Sequence, residues 1–212
     1  TTAWEFPSRA ALAAATQDAD PGRFYPRYGH PNSLLLEASI ARLEGAEACV
    51  SFASGMAAIS AIPLALLRAG DTFACARACY GGTHALTPEL ARFGIRVVRF
   101  DSFDLASLDE ALAQGPRLVH VESPVNPTAR ILDLAAIAER VHARSALLSC
   151  DATFVPPPLM RCLDSGVDLA VHSATKFLGG HSDILAGVVS GSRENIARLE
   201  HWRRYAGAVL GP

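Results

Sequence analysis

Along the chain, short runs that are apolar at almost every position alternate with longer stretches whose apolar residues recur at helical spacing. The short runs, at residues 48–52, 72–75, 95–100, 117–122, 146–151, 167–172 and 186–190, read as strands. Most are continuously apolar, as expected for strands buried on both faces of a mainly parallel sheet. Between them, Asn32 can cap a helix that runs through Leu35, Ile40 and Leu43 to a stop at Gly45. Further helices are expected at 55–68, 83–93, 105–113, 134–143 and 194–205. The alternation predicts an α/β domain, a mainly parallel sheet with helices on both faces. Such sheets bind ligands at the carboxyl ends of their strands. No repeat, low-complexity segment or linker interrupts the pattern, so one domain is expected.

Composition narrows the classes. A chain of 212 residues, half of them hydrophobic, can fill one substantial core. The formal net charge of -2 offers no basic excess for nucleic acid and no acidic tail. The longest greasy stretch, 57–67, is broken by Ser60 and Pro63, so no membrane span is expected. The N-terminus lacks the basic and apolar regions of a signal peptide. It also lacks an initiator Met, which points to processing or to residues upstream. The five cysteines, Cys49, Cys75, Cys79, Cys150 and Cys162, sit mostly in apolar runs and read as reduced thiols of a cytoplasmic protein. Cys75 and Cys79 have no answering Cys/His pair, so no metal site is expected.

The densest chemistry is His172-Ser-Ala-Thr-Lys-Phe-Leu-Gly-Gly-His-Ser-Asp183, at the end of an apolar run. A lysine makes an imine with an aldehyde only as the free amine, a state that burial and neighbouring charge can arrange. Ser173 and Thr175 flank Lys176 with hydroxyls suited to a phosphate. A strand-to-loop turn with a surface lysine would read the same, and this cluster leaves both readings open. Asp151 ends another run, where a carboxylate can keep the pyridine nitrogen of pyridoxal 5′-phosphate (PLP) protonated; an Asp capping a turn is the alternative. At Ser54-Gly-Met-Ala57 the first strand turns into a helix whose N–H groups suit a phosphate. In Tyr80-Gly-Gly-Thr83 an aromatic can lie over a cofactor ring, and in Glu122-Ser-Pro-Val-Asn-Pro127 the Asn126 amide can reach a ring oxygen; ordinary turns would explain either motif. His172 and His181 are expected to support the lysine loop, while His84, His120, His142 and His201 read as structural or solvent-facing. None has the spacing of a zinc-protease helix, and Ser54 is not in a nucleophile elbow.

Taken in order, Ser-Gly-Met-Ala, Tyr-Gly-Gly-Thr, Glu-Ser-Pro-x-Asn-Pro, Asp-x-Thr-Phe and Ser-Ala-Thr-Lys resemble the Cys/Met-metabolism family of PLP enzymes. That family includes cystathionine γ-synthase, cystathionine lyases, methionine γ-lyase and the homoserine-ester sulfhydrylases. The resemblance implies the large domain of a type I PLP-dependent transferase, aspartate aminotransferase-like, over residues 1–212, with an N-terminal arm over about 1–32. It makes Lys176 the Schiff-base lysine and proton shuttle, Asp151 the partner of the ring nitrogen and Tyr80 the stacking aromatic. Gly55, Met56, Ser173 and Thr175 would hold the phosphate, Asn126 would lie near the ring oxygen, and Thr153 would join the cofactor residues. The family's Tyr-x-Arg segment reaches the phosphate of a neighbouring subunit; here it is Tyr25-Pro-Arg27, implying a homodimer-completed site and a homotetramer.

The implied activity is β- or γ-elimination, or γ-replacement, on sulfur amino acids or homoserine esters. Aminotransfer, or PLP binding without turnover, are the alternatives. His30-Pro31-Asn32 stands where the family has Asn-Pro-Thr, and Asp151-Ala152-Thr153 where it has Asp-Asn-Thr. The family also carries a C-terminal domain with the arginine that binds the substrate carboxylate. The chain ends near where that domain begins, so a fragment is expected.

Overall fold

The computed structural model describes residues 4–16 and 24–211. Among them, seven strands form one sheet: β1 (Ala48–Phe52), β2 (Thr72–Ala76), β3 (Arg96–Phe100), β4 (Leu118–Glu122), β5 (Leu147–Asp151), β6 (Leu169–His172) and β7 (Gly187–Gly191). They lie in the order β1-β7-β6-β5-β4-β2-β3. Only β7 runs against its neighbours, β1 and β6; every other pair is parallel. The mainly parallel sheet expected from the apolar runs is observed, made mixed by β7.

The helices are α1 (Arg9–Thr16), α2 (Pro31–Glu44), α3 (Gly55–Leu66), α4 (Gly81–Glu89), α5 (Leu105–Leu112), α6 (Leu134–His142) and α7 (Arg193–Ala206). Side chains alternate across a strand, so one strand supplies two cores. Val119 and Val121 of β4 pack with α5 and α6 through Leu108, Ile137 and Val141. Leu118 of the same strand joins α3 and α7 on the opposite face, with Ile62, Ile196 and Leu199. A smaller cluster seats α2 on β1 and β7 through Ile40, Cys49 and Val188.

Local chemistry adjusts several boundaries. Asn32 does not cap α2; it lies inside the helix, and His30 is the cap. His30 Nδ1 accepts the Asn32 amide at 3.2 Å, and Ser33 Oγ accepts the His30 amide at 3.2 Å. Pro31 takes the first helical position, where a missing N–H removes no bond. Gly45 ends α2 as expected, at a φ of 69° that favours glycine. The stretch expected at 83–93 is α4 followed by a 3-10 turn, Leu90–Phe93, after Pro88. Helix α1 escaped the pattern because its alanine-rich run has no apolar face to bury, and it buries no residue. The arm expected over about 1–32 lies partly outside the described residues.

Two buried polar contacts tie elements distant in sequence. Glu37 of α2 accepts the Ser51 amide at 2.8 Å, the Ser51 hydroxyl at 2.6 Å and Arg203 of α7 at 2.6 Å. Glu44, at the end of α2, bonds His172 at the end of β6. All five cysteines are free. Among the described residues, no helix is long and apolar enough to cross a membrane, and no cluster of His, Cys, Asp and Glu suits a metal.

Candidate active site

Parallel strands point their carboxyl ends the same way, so the loops after β1, β2, β4, β5 and β6 gather at one edge. There they line a cleft of about 1010 Å³ that contains Ser54, Gly55, Met56, Tyr80, Glu122, Asn126, Asp151, Thr153, Ser173, Thr175 and Lys176. Nine of the eleven sequence-predicted residues thus meet in one place. Tyr25 and Arg27 do not. Arg27 Nη1 donates to the Arg204 carbonyl at 2.9 Å, and its guanidinium lies 5.4 Å from the Tyr25 ring centre and 5.0 Å from that of Tyr28.

One side of the cleft begins at the start of α3. Ser54 caps this helix, its hydroxyl accepting the Ala57 amide at 3.1 Å and its carbonyl the Ala58 amide at 3.1 Å. The Gly55 and Met56 amides are left as first-turn donors at the positive end of the helix dipole. Gly55 is needed for close approach: a Cβ there would fall 2.7 Å from both Cβ and Oγ of Ser173. That contact brings the Ser173 hydroxyl beside the helix start. The Thr175 hydroxyl is differently engaged, donating to the Ala186 carbonyl at 3.1 Å and accepting its amide at 3.0 Å.

Lys176 sits in a tight turn, its amide donating to the Ser173 carbonyl at 3.0 Å and its carbonyl accepting from Gly180 at 2.8 Å. The side chain is exposed to the cleft. One signal went unused at the sequence level: Lys176 is the only lysine among the 19 Lys and Arg residues of the chain.

Asp151 closes β5 with its carboxylate at the cleft. Its Oδ1 caps the following turn, accepting the Thr153 amide at 3.0 Å and hydroxyl at 2.6 Å, and Oδ2 remains for a second partner. The Thr153 hydroxyl in turn accepts the Ser173 amide at 2.8 Å. A three-residue chain therefore links the end of β5 to the end of β6.

Sequence reasoning quoted Glu122 but gave it no role. It is 4% exposed, and it accepts the Tyr80 amide at Oε2 and the Asn126 amide at Oε1, each at 2.6 Å. Burial pushes its carboxyl up to about 7, the Asp151 charge adds to this, and the two amides oppose it. The signal was a charged residue closing an apolar strand. His120, on the same face two residues earlier, is fully buried. Burial holds its imidazole down to about 4, Arg99 lowers it further, and only Asp151 opposes. The Ser149 hydroxyl lies 2.9 Å from His120 Nδ1 and donates to the Val119 carbonyl at 3.2 Å. Phe154 and Phe177, in edge contact at 6.1 Å, give the cleft an apolar wall that the motifs did not indicate.

The chain matches the family of Cys/Met metabolism PLP-dependent enzymes over residues 1–212. It is 40% identical over 215 residues to L-methionine gamma-lyase of Pseudomonas putida, covering 100% of this chain and 54% of that protein. It is 39% identical over 213 residues to O-succinylhomoserine sulfhydrylase of Pseudomonas aeruginosa, covering 100% of this chain and 53% of the relative. The structure of cystathionine gamma synthase from Xanthomonas oryzae pv. oryzae in complex with cystathionine superposes with a TM-score of 0.92 at 34% identity, over 100% of this chain and 53% of that one. The fold is that of the α/β large domain of type I PLP enzymes, and the chain spans about half the length of the relatives it matches. With its ordered motifs gathered in one cleft, the chain belongs to the Cys/Met metabolism family of PLP-dependent enzymes.

Proposed function

We propose that this chain is the cofactor-binding part of a PLP enzyme that eliminates or replaces groups at the β- or γ-carbon of sulfur amino acids or homoserine esters. The observation that carries the reading is the meeting of Lys176, Asp151 and Tyr80 in one cleft whose other end offers first-turn helix amides. The donor set fits the cofactor: an amine for its aldehyde, a carboxylate oxygen for its ring nitrogen, and Gly55, Met56 and Ser173 for its phosphate. When bound, PLP supplies an electron sink for the bonds at the substrate α-carbon.

The chain's own residues supply the rest. Lys176 Nζ would hold the cofactor and, once released by the substrate amine, would move the α-proton. Asp151, fixed by Thr153, would keep the ring nitrogen protonated. Tyr80, the residue that precedes α4, would cover the ring. The Phe154–Phe177 wall would exclude water and suit an apolar substrate side chain. Tyr25 and Arg27 stand outside their own cleft, which supports a role at the site of a second copy, in a dimer and a tetramer. The five free cysteines support a reducing, cytoplasmic setting.

Reduction with borohydride in the presence of PLP tests the lysine directly. Peptide mapping should place the label on Lys176, the sole lysine, and Lys176→Ala should abolish both the label and the visible absorption. An unchanged spectrum in the variant would sink the assignment. Released thiol, ammonia and keto acid from methionine or cystathionine would support the reaction; a stable pyridoxamine product would point to aminotransfer instead.

A further inference from the structure

We propose that Glu122 is the positioning residue that sets where Tyr80 and Asn126 stand against the cofactor. This rests on the cofactor reading above. The Tyr80 loop follows β2 and the Asn126 loop follows β4, and one buried carboxylate holds both by their amides at 2.6 Å. Neither amide has a backbone acceptor. Tyr80 is 45% exposed, outside the core, so the anchor on its backbone bears on where its ring stands. A buried carboxylate is costly unless hydrogen-bonded, and short bonds to two amides are the pairing that offsets the cost.

Glu122 is also the register partner of Asp151 across β4 and β5, on the same face of the sheet. The anchor of the stacking tyrosine and the partner of the ring nitrogen are thus adjacent carboxyls. Facing them are His120 from β4, Cys79 from the loop before α4, and Arg99 from β3, which reaches Cys79. Because its carboxyl titrates near neutrality, the grip on both amides loosens as pH falls below about 7. Burial first, then the two amides and the Asp151 charge, set where that happens.

Hydrogen exchange reads the clamp without relying on activity. In Glu122→Gln the side chain keeps one acceptor and presents an NH2 to the other amide. The Tyr80 or Asn126 amide should then exchange about tenfold faster or more, as expected for losing a charge-assisted bond, while amides of the β4 ladder stay protected. The visible circular dichroism of the PLP-loaded variant should weaken, and its pH dependence near neutrality should disappear. Glu122→Asp, whose shorter arm cannot reach both amides, gives the same two readouts should the Gln variant not fold. Unchanged exchange overturns the proposal, and so does faster exchange with an unaltered dichroism band. If Lys176→Ala leaves the cofactor absorption intact, the cofactor reading fails on its own and the exchange result still decides the clamp.

Discussion

Gly55→Ala places a Cβ where the structure has no room for one, and the cost can be worked out. The added carbon would lie 2.7 Å from Ser173 Cβ and Oγ and 3.1 Å from its Cα. Comfortable carbon contacts are about 3.5–4.0 Å, so the overlap approaches ~1 Å. Rotating the Ser173 side chain does not remove the clash with its Cα, so the backbone of either α3 or the lysine loop must shift. Overpacking of that kind costs about 1–3 kcal/mol. Moving Ser173 away also removes a hydroxyl proposed to hold phosphate. A hydrogen bond to a charged group is worth about 1.5–3 kcal/mol, which weakens PLP binding roughly 10- to 150-fold.

Gly81→Ala is the matched control. It lies at the same first position of a helix, α4, directly after Tyr80, yet a Cβ there meets nothing within 4 Å. Restricting the unfolded chain should leave that variant neutral or stabilised by up to ~1 kcal/mol. Urea unfolding and a PLP titration by fluorescence measure both variants. If Gly55→Ala matches Gly81→Ala in midpoint and in affinity, the close approach of α3 to Ser173 does not shape the proposed phosphate site.

Other expectations follow from buried charge. His120 is held neutral in the fold while its unfolded form takes up a proton near its ordinary value of 6.5, so its contribution to stability is lost as pH falls from there toward about 4. The loss is on the order of 3 kcal/mol, and a His120→Phe variant whose unfolding free energy falls as steeply with acid as the wild type would refute it. Glu122 has the opposite sign, since its carboxyl is raised from 4.5 to about 7. Its contribution is full below 4.5 and is lost as pH rises to about 7, so Glu122→Gln should show a flatter stability curve over that window. Arg203→Met leaves Glu37 charged and buried and should cost about 3–5 kcal/mol in urea unfolding. The double variant with Glu37→Gln should recover part of this, and a single variant near wild type would show that the pair is dispensable.

The sheet was legible because a strand buried on both faces must be apolar throughout, and the runs sit between glycine, proline or helical stretches that end them. The cleft was legible for a related reason. Where an apolar run stops at Asp151, His172 or Glu122, the polar residue stands at the carboxyl edge of the sheet, and ligand chemistry collects there. What sequence could not supply was the pairing of side chains with distant backbone. His30 displaced Asn32 as a cap because its imidazole reaches the amide two residues on, a geometry no spacing rule singles out.

The same blindness hid Glu122, whose partners Tyr80 and Asn126 lie 42 and 4 residues away in sequence. Thr153 was visible as part of a motif, but its hydroxyl accepts an amide 20 residues on, from Ser173. In both cases one polar side chain at a strand end ties together loops that depart from different strands. A cleft assembled from five such loops needs ties of this kind, because no ladder of backbone hydrogen bonds runs from one loop to the next. The motifs therefore mark the residues that would touch a ligand, while the residues that place them are found only where strand ends are neighbours in space. Glu122 and Asp151, partners in register on adjacent strands, occupy the point where those two roles meet.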